Sequence, residues 1–138
     1  LPAVPQFGGQ IALLGSNLPA QATLIPGQSL GVDLIWQAVE RPKLDYTGFV
    51  QLLDPQGRLV AQHDQPLMQG FIPATLWQPG FRIADHYQLT VPVELQPGVY
   101  RLIIGLYDGA TVERLPVTVA GQAAGDAFQL SQLSGAQE

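Results

Sequence analysis

The sequence predicts an all-β fold, an immunoglobulin-like antiparallel sandwich of about seven to nine strands. Three observations carry that expectation. Fifteen Gly and twelve Pro are spread along 138 residues rather than clustered, a spacing that suits many turns between short strands. Residues 30–37 alternate apolar and polar with period two. Leu95 to Pro116 reads as a Pro-Gly turn, a Tyr at a strand start, a long apolar run, a tight turn and a return strand.

Taken in order, Gln10 to Leu14 is a first short strand. Leu30, Val32, Leu34 and Trp36 then share one face against Gly31, Asp33, Ile35 and Gln37. Tyr46 to Leu53 is a third strand, closed by Asp54-Pro55-Gln56-Gly57, a type I turn signature with Gly at its last position. Leu59 to Asp64 pairs back as the second arm of that hairpin. Ile83 to Val91 and Val99 to Tyr107 follow, joined by a loop over Pro92 to Gly98.

Within the second of these, Tyr100, Leu102, Ile104 and Leu106 face one way and Val99 and Ile103 the other. The strand is therefore expected at the centre of its sheet, covered on both sides. Tyr100, just past the Pro97-Gly98 turn, suits a tyrosine corner whose hydroxyl bonds back to upstream backbone. An ordinary half-buried strand Tyr is the alternative. Asp108-Gly109 turns the chain into a return strand from Thr111 to Val119. Residues 1–120 are read as the sandwich domain. Residues 121–138 are read as a C-terminal extension, with Phe128 to Leu133 as a last strand before a disordered tail. No amphipathic helix longer than a turn or two is visible.

Composition narrows the function classes. Hydrophobic residues make up 46% and charged residues 12%, about half the usual charged share. A net charge of −5 with six basic residues argues against a nucleic-acid surface, which needs clustered Lys and Arg. It equally disfavours docking to anionic lipid. With no Cys, disulfides and Cys-based zinc sites drop out. No apolar run approaches the ~20 residues that span a bilayer, so direct membrane insertion is not expected. No charged-then-apolar signal segment is present either. The chain opens on Leu1 rather than Met, and is read as a piece of a longer protein.

Chemistry is sparse. There is no Gly-x-Ser-x-Gly elbow, Gly-rich phosphate loop or His-Glu-x-x-His run. No catalytic residue, metal or cofactor is assigned. His63-Asp64 and Asp85-His86 could supply ligands for zinc or iron if their strands were neighbours. Adjacent strand residues point to opposite faces, so solvated histidines are the plainer reading. Asp54, Asp108 and Asp126 sit in turns, where Asp is expected without calcium.

The candidate binding residues are Phe71, Trp77, Phe81 and Asp85. Gln65 to Arg82 has no clear periodicity and carries Pro66, Pro73 and Pro79. Loops of that length are uncommon in compact domains and are often functional. Its three aromatics form either a stacking platform for sugar or peptide, or a plug across one end of the sandwich. Asp85 shares the core-facing row with Ile83, Tyr87, Leu89 and Val91, where a carboxylate is costly unless hydrogen-bonded. It is either a ligand-binding acid or an acceptor that ties down the loop through backbone N–H groups or the Trp77 indole.

A set of segments carries a resemblance. They are Gly8 to Gly15 (Gly-Gly-Gln-Ile-Ala-Leu-Leu-Gly), Leu34 to Ala38 (Leu-Ile-Trp-Gln-Ala), Tyr46 to Gly57, Trp77-Gln-Pro-Gly, Asp85-His-Tyr, and Pro97-Gly-Val-Tyr through to Asp108. Together, from Phe7 to Pro116, they resemble the soluble C-terminal region of large bacterial membrane proteins, chiefly from Chloroflexus-like bacteria. Those proteins are related to the dolichyl-phosphate-mannose protein mannosyltransferases. The resemblance implies a non-enzymatic accessory sandwich outside the bacterial membrane, tethered in the full-length protein. Its implied partners are glycan, acceptor or the membrane portion of its own parent chain. No catalytic residue carries over. A peptide- or protein-binding module, like small immunoglobulin-like proteinase inhibitors, is the alternative from a different class, since its strand grammar is similar. An enzyme in its own right is a third, but the chain supplies few titratable residues to meet in a cleft.

Overall fold

The computed structural model describes residues 4–135 as two packed β-sheets built from eleven strands. In chain order they are β1 (Pro5–Phe7), β2 (Ile11–Ser16), β3 (Gln21–Thr23), β4 (Ser29–Ala38), β5 (Tyr46–Leu53) and β6 (Leu59–Pro66), followed by β7 (Arg82–Thr90), β8 (Val99–Asp108), β9 (Val117–Val119), β10 (Gln122–Ala123) and β11 (Phe128–Ser134). The first sheet runs β10-β9-β1-β2-β4-β7 and the second β3-β11-β8-β5-β6. Two short 3-10 turns, Leu67–Gly70 and Ala74–Leu76, lie between β6 and β7. The described residues contain no α-helix. The fold is the all-β sandwich that the alternation predicts.

The core forms where the two alternating faces meet. Val32, Leu34 and Trp36 of β4 are buried in one cluster with Tyr100, Leu102, Ile104 and Leu106 of β8. The Trp36 ring meets Phe7 edge-on at 5.2 Å between centroids, a favoured aromatic geometry. Around β5 the turn chemistry is as read: Gly57 N–H donates to the Asp54 carbonyl at 2.8 Å. The Asp54 carboxylate accepts from the Gln56 and Arg58 N–H groups and from Arg58 Nε, each at 2.9 Å. Burial pushes that carboxyl up, but the Arg58 and Gln56 donors outweigh it and hold it below the usual carboxylate value. At the start of β8 the Tyr100 hydroxyl accepts the Gln96 N–H at 3.0 Å, the backward bond of a tyrosine corner.

Several expectations need correction. Strands β1 and β3 have three residues each, too few to show a period. Strand β3 pairs with β11 in parallel, so the sandwich is not wholly antiparallel. The return strand expected over Thr111 to Val119 reduces to one bridge between Tyr107 and Arg114. Val112 stands at φ 56°, a conformation that breaks an extended run. The chain then crosses to the first sheet, where β9 pairs with β1. Strand β8 is central, flanked by β11 and β5, but its outer face is covered only in part: Val99 is exposed and Ile103 half-buried, while Gly105 is buried. Strand β11, within the C-terminal extension, lies between β3 and β8. The last part of the expected tail, 136–138, lies outside the described residues.

Candidate functional site

Strand β6 extends through Pro66, so the irregular segment begins at Leu67. Its first turn is held from below. Both oxygens of Asp85, a residue only 5% exposed, accept the Met68 N–H at 3.1 Å. Burial raises the Asp85 carboxyl, and the Met68 hydrogen bond only partly opposes it. Met68 and Gln69 stand at φ 55° and 54°, left-handed conformations that non-Gly residues rarely adopt. The second turn is anchored by Asp45, which accepts from Thr75 N–H and Oγ1 at 2.9 Å. Arg41 Nε adds a bond to the Thr75 carbonyl at 2.7 Å.

The four candidate residues divide between support and surface. Trp77 is 1% exposed, its indole N–H donates to the Ile72 carbonyl at 3.0 Å, and its ring lies 5.7 Å from Phe81. Phe71 is 81% exposed, with Ile72 and Leu76 also open to solvent. A three-aromatic platform therefore does not form. The indole finds its partner inside the segment, which lets the ring bury its apolar area. Trp77 and Phe81 act as a plug, Asp85 ties down the first turn, and Phe71 alone presents an aromatic face to water.

The two histidine dipeptides do lie on neighbouring strands, but their groups point apart. Strands β6 and β7 are edges of opposite sheets. His63 Nδ1 accepts the Gln88 N–H at 2.9 Å and Gln65 Nε2 donates to the His86 carbonyl at 3.1 Å. Two β6 side chains thereby cover the free backbone edge of β7, which would otherwise be open to pairing. His86 Nδ1 meets Asp33 at 2.6 Å on the outer face of the first sheet, and that hydrogen bond raises the imidazole above its ordinary value. Asp64 accepts the Tyr107 hydroxyl at 2.9 Å on the outer face of the second. No cluster of three or more metal-ligating side chains occurs among the described residues.

A further group of side chains was missed in the sequence. Phe49 points to the outer face of β5, yet it is 1% exposed. Gly105 stands opposite it on β8; a Cβ there would lie 2.4 Å from the Phe49 ring. The Arg114 guanidinium covers the ring at 4.3 Å from its centroid, a cation–π placement, and bonds Asp126 at 3.3 Å. Over this floor opens a cavity of about 180 Å³ lined by Phe49, Gln51, Asp64, Tyr107, Val112 and Arg114. Burial, then the bond to Asp64, raises the Tyr107 phenol. The one hint in sequence was a Phe at outward parity in β5. Arg114 reaches it only through the bridge to Tyr107.

No family model matches the chain, and no curated protein matches it. A solved structure does. The C-terminal domain of Wzt is similar with a TM-score of 0.52 at 12% identity, covering 98% of this chain and 80% of that one. At that identity the likeness shows the fold alone.

Several candidate acid–base groups are engaged within the fold. His63 and Asp85 direct their acceptor atoms at backbone N–H groups of Gln88 and Met68, and Asp54 does the same in its own turn. A general acid or base needs its proton-accepting atom within reach of a substrate. Among the open surfaces of the described residues are the apolar cap of Phe71, Ile72 and Leu76 and the lined cavity on the second sheet.

Proposed function

We propose that this chain is a non-enzymatic accessory β-sandwich of a membrane glycosyltransferase-like protein, held outside the bacterial membrane, where it contacts glycan or acceptor. The observation that carries the non-enzymatic part is the use of the candidate acid–base groups: His63 and Asp85 each bond a backbone N–H in their own fold. The accessory part is supported by the fold neighbour, itself the C-terminal domain of a longer protein. Phe71 is the one aromatic among the exposed large hydrophobic side chains of the described residues. Its backbone is stiffened by Pro73 and by the Asp85 and Asp45 anchors, which lowers the entropy lost on binding. Trp77, Phe81 and Asp85 serve that contact as its support.

The test is a titration of the chain with mannose-type and other bacterial oligosaccharides, followed by amide chemical shifts. Weak binding that moves the Phe71 to Leu76 amides and is lost in Phe71→Ala is the expected result. Turnover of an ester, glycoside or phosphate substrate, abolished by changing His63, Asp64, Asp85 or His86, would overturn the non-enzymatic reading. A protein-binding module is the second reading, favoured by the apolar trio Phe71, Ile72 and Leu76 on one segment. The polar protruding loop of an inhibitor is not what this segment offers.

A further inference from the structure

We infer that the cavity on the outer face of the β6-β5-β8 sheet is a subsite for one neutral sugar ring, seated against Tyr107 between Asp64 and Arg114. The inference rests on the glycan reading above and assigns it a place. The cavity measures about 180 Å³, below the ~300–1,000 Å³ of pockets for drug-sized ligands, so it fits roughly one ring rather than a chain.

Its chemistry selects the ligand class. Tyr107 supplies a half-buried aromatic face suited to the C–H face of a pyranose. Asp64 and Gln51 supply acceptors, and Arg114 and the Gln51 amide supply donors. Both charged groups already have a partner: Asp64 accepts the Tyr107 hydroxyl at 2.9 Å and Arg114 bonds Asp126 at 3.3 Å. A phosphate would meet the Asp64 carboxylate beside a cation already paired with Asp126, and an ammonium ion would meet a carboxylate already engaged by the Tyr107 hydroxyl. Hydroxyl groups, which both donate and accept, match this mixed lining of donors and acceptors.

The rim gives an independent indication. Val112 lines the cavity, is 71% exposed and stands at φ 56°. A β-branched residue in the left-handed region is a strained outlier, and such strain clusters at ligand clamps. The turn that holds it is closed by Val112 N–H donating to the Asp108 carbonyl at 2.7 Å and by Asp108 N–H donating to the Glu113 carbonyl at 2.9 Å. An apolar side chain is thus presented over an aromatic floor, where it shields one edge of a ring from water.

The experiment titrates the full chain with methyl α-mannopyranoside, methyl α-glucopyranoside and N-acetylglucosamine, with inorganic phosphate and ethanolamine as anionic and cationic probes. At least one sugar is expected to shift the amides of Gln51, Asp64, Tyr107 and Val112. Asp64→Asn should weaken it about tenfold or more, the effect of losing one hydrogen bond to a charged group, and Tyr107→Ala, which removes the aromatic face, should weaken it about tenfold. Tyr107→Phe, which keeps the ring, should retain more affinity than Tyr107→Ala and guards against a folding defect. Preference for phosphate or ethanolamine, or unchanged sugar affinity in Tyr107→Ala and Asp64→Asn, overturns the subsite. If oligosaccharides bind but shift only the Phe71 to Leu76 amides, the subsite fails while the glycan reading stands. If no saccharide of any length binds, both fail.

Discussion

Asp85 grips Met68 with both carboxylate oxygens, each 3.1 Å from the same backbone N–H. The contact explains how a core-facing acid and a strained turn coexist. Left-handed backbone at Met68 and Gln69 costs about 1–2 kcal/mol per residue, and a buried anion aimed at the turn holds it there. The carboxylate in turn carries a burial cost that the single N–H only partly offsets.

The first prediction follows from that balance. Burial raises the folded-state pKa of Asp85 above its unfolded value, so the folded protein binds this proton more tightly. Its contribution to stability is complete below the unfolded value, about 3.9, and is lost as pH rises through the raised folded value. Asp85→Asn keeps an acceptor for Met68 and cannot ionise. Its stability in urea at pH 7 should equal or exceed that of the unaltered protein, with a flatter dependence on pH above about 4. A clear loss at pH 7 would show that the charge itself is needed. Asp85→Ala leaves the Met68 N–H without its partner and should cost about 1–3 kcal/mol.

Trp36 tests the core. It is fully buried, edge-on to Phe7, in the cluster that joins β4 to β8. Trp36→Ala should lose about 3–5 kcal/mol, a large share of the stability of an ordinary domain. Thermal melting monitored by far-ultraviolet circular dichroism reads this directly. A variant that melts as the parent does would mean that the packing around β4 is misdescribed.

Tyr87 carries a less obvious expectation. Its hydroxyl is buried beside the Trp36 indole and Asp85, but neither it nor Trp36 Nε1 reaches hydrogen-bond geometry with any partner among the described residues. An unpartnered buried hydroxyl is a liability of about 1–3 kcal/mol. Tyr87→Phe should therefore be neutral or stabilising in denaturant titrations. Destabilisation by more than about 1 kcal/mol, the size of one hydrogen bond, would reveal a partner for the oxygen.

Legibility in the sequence tracked how local each feature is. Strand β5 was read with its bounds intact, and the inner rows of β4 and β8 were read correctly, because alternation writes burial directly into the chain. The Tyr100 corner was readable because its acceptor role spans four residues. Three-residue strands β1 and β3 carry too little pattern, and the crossover after Arg114 depends on a left-handed Val112 that no propensity foretells. Asp85 was singled out by its place in an apolar row, but its partner Met68 comes from a segment without periodicity. The cavity over Phe49 was invisible for a related reason: Asp64, Tyr107 and Arg114 meet there only through strand register and a single bridge.

The tyrosine corner yields the last prediction. The Tyr100 hydroxyl accepts the Gln96 N–H at 3.0 Å, and the Gln96 side chain donates to Asp54 Oδ2 at 3.2 Å. Two connections, the loop before β8 and the turn between β5 and β6, are thereby joined at one end of the sandwich. Tyr100→Phe keeps the ring among the core residues and removes only the acceptor. Because Gln96 is half-buried, water can replace part of the bond, so the loss should stay near the ordinary hydrogen-bond value of about 0.5–1.5 kcal/mol. Hydrogen exchange adds a local readout. The Gln96 amide should exchange faster in the variant while the β4 amides paired with β7 slow or quicken only with global stability. Unchanged protection at Gln96 would mean that the corner bond does not hold the loop.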